Sequence, residues 1–237
     1  MLTAVLFDLD GTLLDIDIDA FLNDYFGALG PVVTDVLGGE REPSAGLRAV
    51  LEGTAAMVEP HPGRTNQVVF NETFERLTGV DLDLEEFALP FERFYAEVFP
   101  KLRKTMGPRP GAREAVETAL ALGLKAAIAT NPIFPLSAIR ERMRWAAVDD
   151  LPVNVITSYE SMHATKPRTE YFVETAEQIG VKPSECLMVG DDRVLDMGAA
   201  DIGMRTFYVG APPVPASDFA GDLFDVASLI PRLVAAD

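Results

Sequence analysis

Three short runs of consecutive apolar residues, Ala4 to Phe7, Leu124 to Ala129 and Cys186 to Val189, share one layout. Each ends in small or polar residues: Asp8-Leu9-Asp10-Gly11-Thr12 after the first, Thr130-Asn131 after the second, Gly190-Asp191-Asp192 after the third. Apolar positions that run on without alternating predict strands buried on both faces, as in a parallel sheet covered by helices. Val153 to Thr157 and Arg205 to Val209 read as further strands. Helical spacing lies between them, over Arg113 to Leu122 before Gly123 and over Thr169 to Ile179 before Gly180, with Pro183 shortly after. This alternation predicts an α/β core with a doubly wound, Rossmann-like parallel sheet. In such a core, ligands bind beyond the carboxyl ends of the strands, where the polar clusters fall.

Residues 15–105 follow a different pattern, with helical spacing and no strand-like runs. Ile18, Phe21, Leu22, Tyr25, Phe26 and Leu29 mark one apolar face, and Phe70, Thr73, Phe74 and Leu77 mark another that ends at Gly79. Asp83 and Glu86 resemble a capping box ahead of a helix carrying Phe87, Phe91, Phe94, Tyr95 and Val98, which Pro90 is expected to kink or split. Eight of the 14 phenylalanines lie in this stretch, at a spacing that predicts a helical core rather than a flat-ligand site. The organisation expected is an α/β core of residues 1–14 and 106–237 with an all-α insert, residues 15–105, that has its own core. Gly107-Pro108-Arg109-Pro110-Gly111 reads as a hinge on the return, and Gly38 to Gly46 and Gly210 to Gly221 as surface loops.

The 237 residues carry 20 basic and 37 acidic side chains, a net charge of −17. Such a surface repels nucleic acid and anionic lipid, so neither is an expected partner. It also repels a phosphorylated substrate unless the site brings its own positive charge. The single cysteine, Cys186, excludes an internal disulfide and reads as a buried strand residue. No apolar stretch reaches the ~18 residues of a membrane span, and the chain enters Ala4 at once without a leader, so a cytoplasmic location is expected.

Asp8 and Asp10 follow a buried strand two residues apart, so both carboxylates can reach one site if the chain turns at Gly11-Thr12. Asp191, Asp192 and Asp196 follow another such strand. Carboxylates clustered at one rim repel each other unless a cation offsets them, and hard oxygen ligands of this kind suit Mg²⁺. Lys166, between the second and third polar strand ends, is a second source of positive charge. Thr130 and Asn131 offer a hydroxyl, an amide and backbone N–H groups to phosphate oxygens.

In this order, the segments Leu6-Phe7-Asp8-Leu9-Asp10-Gly11-Thr12-Leu13, Ala129-Thr130-Asn131, Lys166-Pro167 and Val189-Gly190-Asp191-Asp192-Arg193-Val194-Leu195-Asp196 resemble the four motifs of the haloacid dehalogenase-like superfamily. The helical insert lies where that family carries its C1 cap. The resemblance implies that Asp8 is a nucleophile forming an aspartyl-phosphate, and that Asp10 protonates the leaving group and then activates water. It implies that Thr130 and Lys166 hold the transferring phosphoryl group. Asp8, the backbone carbonyl of Asp10, and Asp191 are implied to bind Mg²⁺, with Asp196 and Asp192 supporting. An aspartate at position 10 departs from the family's dehalogenases and phosphonatase-like members, Thr12 from mutases that commonly carry valine, and Leu9 from P-type ATPases with lysine there. The resemblance therefore implies a phosphatase acting on a small phosphorylated metabolite. A phosphomutase and a catalytically weak regulatory relative are the alternatives.

His61 and His163 read as exposed loop residues and Trp145 as packing one face of a helix. Asp15, Asp17 and Asp19 read as a solvated hinge and helix start. Arg41, Arg48 and Arg64 are candidates to recognise an anionic leaving group, and the sequence does not rank them.

Overall fold

The computed structural model describes residues 1–38 and 43–236. Its strands are β1 (Ala4–Phe7), β2 (Leu14–Asp15), β3 (Gly107–Pro108), β4 (Lys125–Ile128), β5 (Val155–Ile156), β6 (Cys186–Gly190), β7 (Arg205–Val209) and β8 (Phe219–Gly221). Helices α1 (Ile18–Val36), α2 (Pro43–Val58), α3 (Asn66–Thr78) and α4 (Glu85–Arg93) lie between β2 and β3. Helices α5 (Ala112–Ala121), α6 (Leu136–Trp145), α7 (Thr169–Ile179) and α8 (Leu223–Ala236) connect or follow the later strands.

Six strands form one sheet in the order β5-β4-β1-β6-β7-β8, every neighbouring pair parallel. The period of two along each strand divides its side chains between two cores. Val5, Phe7, Ala126, Ile128, Leu187 and Val189 join α5, α6 and α8 on one face. Ala4, Leu6, Ala127, Cys186 and Met188 join Tyr171, Phe172, Ala176 and Ile179 of α7 on the other. The predicted doubly wound α/β core is therefore present, because strands apolar at every position need cover on both sides. Register sets up the site: Phe7 pairs with Ile128 on one side and Val189 on the other. The polar residues that follow these three strands consequently emerge at one level.

The insert leaves and re-enters through β2 and β3, which pair antiparallel as Leu14 with Pro108 and Asp15 with Gly107. Asp17 caps α1 by accepting the Ala20 N–H at 3.0 Å. Phe21, Tyr25, Leu29 and Val33 are buried along α1 at helical spacing and share one cluster with Phe74, Phe94 and Phe99. That cluster is continuous with the sheet's: Phe99 stacks on Trp145 of α6 at 5.4 Å, and Phe21 meets the same ring edge-on at 6.3 Å. Among the described residues, no helix is long and apolar enough to cross a membrane.

Several local expectations are corrected. No side-chain capping box precedes α4, because Asp83 accepts the Asn71 amide at 2.7 Å instead, joining the segment to α3. Pro90 lies within α4, and the change of ladder comes at Phe94–Val98, a π-helical turn closed by the Phe99 N–H on the Phe94 carbonyl. Residues 43–46 begin α2 rather than ending a loop, while 39–42, Arg41 included, lie outside the described residues. The strand expected over 153–157 is limited to Val155–Ile156, and the segment 210–221 closes as β8 at the sheet edge. His61 is buried, with Nδ1 2.6 Å from the Glu59 carbonyl and Nε2 2.8 Å from Asn66 Oδ1. Asn66 in turn donates to the carbonyls of Pro132 at 2.9 Å and Ala164 at 3.3 Å, so this pair seats α3 on the loops beside Asn131 and Lys166. His163 is exposed and bonded to Glu174, as a loop histidine.

Candidate active site

Asp8 is the first residue past β1, and its N–H donates to the Val189 carbonyl at 2.9 Å, which carries the sheet's ladder one step into the site. The chain then turns sharply, with the N–H groups of Leu13 and Leu14 donating to the Leu9 carbonyl at 3.0 and 2.8 Å. Gly11 makes the turn possible in two ways. Its φ is +83°, and a Cβ there would stand 2.4 Å from Asp191 Oδ2. Gly190 permits a similar close approach across the rim, since a Cβ on it would stand 2.2 Å from Asp196 Oδ2.

Lys166 Nζ is buried between two carboxylates, 2.8 Å from Asp8 Oδ1 and 2.5 Å from Asp196 Oδ1. Burial works against the ammonium, but Asp196 and Asp8 outweigh it and hold the lysine pKa well above its ordinary value. Asp196 accepts the Asp192 N–H with its other oxygen at 3.0 Å, so both of its oxygens fix neighbouring groups. Thr12, itself fully buried, donates to Asp191 Oδ1 at 2.9 Å. Burial, reinforced by the charge of Asp8, pushes the Asp191 carboxyl up to about 6.

Asp8, Asp191 and Asp196 each bring a carboxylate oxygen within 4.8 Å of the others. A cavity of about 410 Å³ over this group is lined by Asp8, Asp10, Asp191, Asp192 and Asp196 against two cations, Lys166 and Arg142. Five carboxylates against two cations is an arrangement that a divalent cation relieves, and an all-oxygen donor set is the kind Mg²⁺ takes. Asp8, Asp191 and Asp196 could hold such a cation, and Asp196 also fixes Lys166 and its own loop.

Thr130 and Asn131 line the same cavity. The Thr130 carbonyl accepts from Thr157 at 2.7 Å and Tyr171 at 2.9 Å, and Asn131 Oδ1 accepts the Lys166 N–H at 3.2 Å. The loop after β4 is thus tied to the loop that carries the lysine. The Asp192 side chain turns to its own loop, accepting the N–H groups of Val194 at 2.7 Å and Leu195 at 2.8 Å. Asp10, lining the same cavity, pairs with Arg142 Nη1. Burial raises the Asp10 carboxyl, and Arg142 is the strongest influence in the other direction. Arg48 and Arg64 form exposed pairs with Glu52 and Glu72 and do not line the cavity.

Arg142 is the residue that the sequence reading did not single out. Its signal was its position, since it shares the buried side of α6 with Ala138, Ile139 and Trp145 in a helix whose other arginines, Arg140 and Arg144, face outward. A charge on the apolar face of an amphipathic helix implies a buried partner.

The haloacid dehalogenase-like hydrolase family model matches residues 2–201. Phosphatase MT3486 of Mycobacterium tuberculosis is 32% identical over 121 residues, 51% of this chain and 55% of that one, so the match spans about half of each. YhcW of Bacillus subtilis, which has a provisional phosphatase name, is 26% identical over 88% of this chain and 84% of its own. Among solved structures, a phosphatase from Thermococcus onnurineus superposes with a TM-score of 0.59 at 22% identity, covering 97% of this chain and 98% of that one. An L-2-haloacid dehalogenase from Xanthobacter autotrophicus gives 0.55 at 20%, covering 98% and 99%. Fold and site together define a hydrolase built on a parallel α/β sheet with a helical insert after its first strand. The chain belongs to the haloacid dehalogenase-like hydrolase family.

Proposed function

We propose that the protein is a Mg²⁺-dependent phosphatase that hydrolyses a small phosphomonoester through an aspartyl-phosphate on Asp8, with residues 15–105 acting as a cap over the site. The observation that carries this reading is Asp8 bonded to a buried Lys166 in one cavity with Asp10, Thr130 and Asp191. A buried lysine beside the nucleophile supplies the positive charge that a chain of −17 needs in order to hold a phosphate.

In the first half-reaction an Asp8 carboxylate oxygen forms a bond to phosphorus, the ester P–O bond breaks, and Asp10 gives its proton to the departing oxygen. The raised carboxyl of Asp10 suits that donor role. In the second half-reaction a water oxygen attacks phosphorus, its proton passes to Asp10, and the bond to Asp8 breaks to release inorganic phosphate. Lys166, Thr130 and the N–H groups of the Asn131 loop orient the phosphoryl oxygens throughout. Asp8, the Asp10 carbonyl and Asp191 would hold the metal, which would supply positive charge to offset that of the phosphoryl group.

The test is turnover of a generic aryl phosphate with Mg²⁺. Steady phosphate release that is lost in Asp8→Asn by a factor on the order of 10³ or more, and lost with a chelator, is expected. An Asp8→Asn protein as active as the parent overturns the mechanism, full activity in chelator removes the metal, and one burst without turnover favours a mutase.

A further inference from the structure

A second cavity, of about 430 Å³, lies beside the catalytic one, and Leu22, Ile133 and Phe134 line both. Helix α1 runs along the pair. Ile18 and Leu22 face the catalytic cavity, and Leu22, Tyr25, Phe26 and Leu29, further along the same face, line the second. Aromatic rings dominate the wall: Tyr25 and Phe26 of α1, Phe70 of α3, Phe91 of α4, and Tyr95 and Tyr159. The Tyr25 and Tyr95 hydroxyls bond to each other at 2.8 Å, and Thr54, Gln67, Asn71 and Ser137 add uncharged polar groups to the wall.

The charge of this cavity limits what it can take. Its described lining contains no Lys, Arg or His, and its charged members are Glu92 and Glu160. Glu160 already accepts the Leu136 N–H at 2.9 and 3.1 Å. A second phosphate or a carboxylate would meet like charge without a counter-charge. A neutral ring gains both apolar burial and edge or offset stacking. Size points the same way: a cavity of about 150 Å³ holds benzene, so this one suits two or three fused rings.

The position of the acid links the two cavities. Asp10 pairs with Arg142, and the Arg142 guanidinium lies 4.6 Å over the Phe134 ring, which is 5.3 Å from the ring of Tyr25. An ester oxygen protonated by Asp10 leaves on the side of Phe134, the shared wall. We propose that the aromatic cavity receives the leaving alcohol, and that the substrates are phosphate monoesters of uncharged, ring-bearing alcohols. This rests on the phosphatase reading of the neighbouring cavity.

The experiment compares 2-naphthylmethyl phosphate with glycerol 3-phosphate, both esters of primary alcohols, in the parent and in Thr54→Trp, which fills the cavity from α2. Leu51→Trp, at a half-exposed position on the same wall, replaces it if circular dichroism shows Thr54→Trp unfolded. Binding of 2-naphthalenemethanol, followed by its fluorescence, is measured alongside. Expected are saturable binding of the alcohol, a kcat/KM for the naphthyl ester at least about tenfold above that for glycerol 3-phosphate, and loss of both in the filled variant with the glycerol ester within about twofold. Equal kcat/KM values with no alcohol binding overturn the inference and leave the phosphatase reading standing. Alcohol binding without hydrolysis of either ester overturns the phosphatase reading, and with it the assignment of this cavity to a leaving group.

Discussion

Arg142 donates through Nη1 to Oδ2 of Asp10, across 132 residues of sequence, and among the described residues the rest of its guanidinium is buried without a hydrogen-bond partner at Nε or Nη2. Asp10 Oδ1 is likewise buried and unpartnered. The pair therefore leaves free donors and a free acceptor at the junction of the two cavities, where an ester oxygen departs in the proposed mechanism.

Arg142 opposes the burial that raises the Asp10 carboxyl. Arg142→Met removes that opposition, so the carboxyl rises further. The limb of the kcat/KM profile governed by Asp10 is expected to move to higher pH. An unmoved profile in an active variant would show that Asp10 is not the acid.

Lys166 compensates two carboxylates at once. Lys166→Met leaves Asp8 and Asp196 buried and unpaired, which is expected to cost about 3–5 kcal/mol. Burial already raises the Asp196 carboxyl to about 7 against the opposing charge of Lys166, and without the cation it rises further, so the variant's stability is present at low pH and lost as pH rises. Urea unfolding should show a wider gap between parent and variant at pH 8 than at pH 5. A gap independent of pH would mean that the lysine's contribution is not ionic.

The Asp191 carboxyl, raised to about 6 by burial and by Asp8, titrates within an accessible range. Protons therefore compete with Mg²⁺ below that pH, and metal affinity should weaken by up to about tenfold per pH unit. In thermal-shift titrations Mg²⁺ should raise Tm at pH 8 and much less at pH 5. Equal shifts at both values would remove Asp191 from the ligand set.

Gly11 and Gly203 both have left-handed backbone, with φ of +83° and +80°, but a Cβ meets Asp191 at 2.4 Å in the first and open space in the second. Gly203→Ala is expected to cost the conformational strain alone, about 1–2 kcal/mol. Gly11→Ala should add to that strain a displacement of Asp191, with activity falling at least about tenfold while Gly203→Ala stays near the parent. Equal activities would show that the close approach of Gly11 to Asp191 does not govern the site.

Much of the sheet was legible in the chain. Ala4 to Phe7, Cys186 to Val189 and Arg205 to Val209 became β1, β6 and β7, since uninterrupted apolar runs leave one way to bury both faces. Helix ends were legible where the local chain decides them, as at Gly180, which caps α7 in the left-handed region. Asp83 was misread because its carboxylate had two partners within reach, its own helix terminus or Asn71 on α3, and only packing chose. His61 was misread for the same reason: nothing local announces that Asn66 will stand 2.8 Å away.

The site divides along the same line. By itself the sequence determined that carboxylates, a lysine and a hydroxyl follow buried strands, because strand ends and their spacing are local properties. Only tertiary structure decided that Lys166 is shared between Asp8 and Asp196, that Asp192 serves its own turn, and that Arg142 reaches Asp10. Those outcomes depend on β1 pairing with β4 and β6 in one register and on α6 lying against the helical insert. Such contacts join residues far apart in the chain, and no local spacing encodes them.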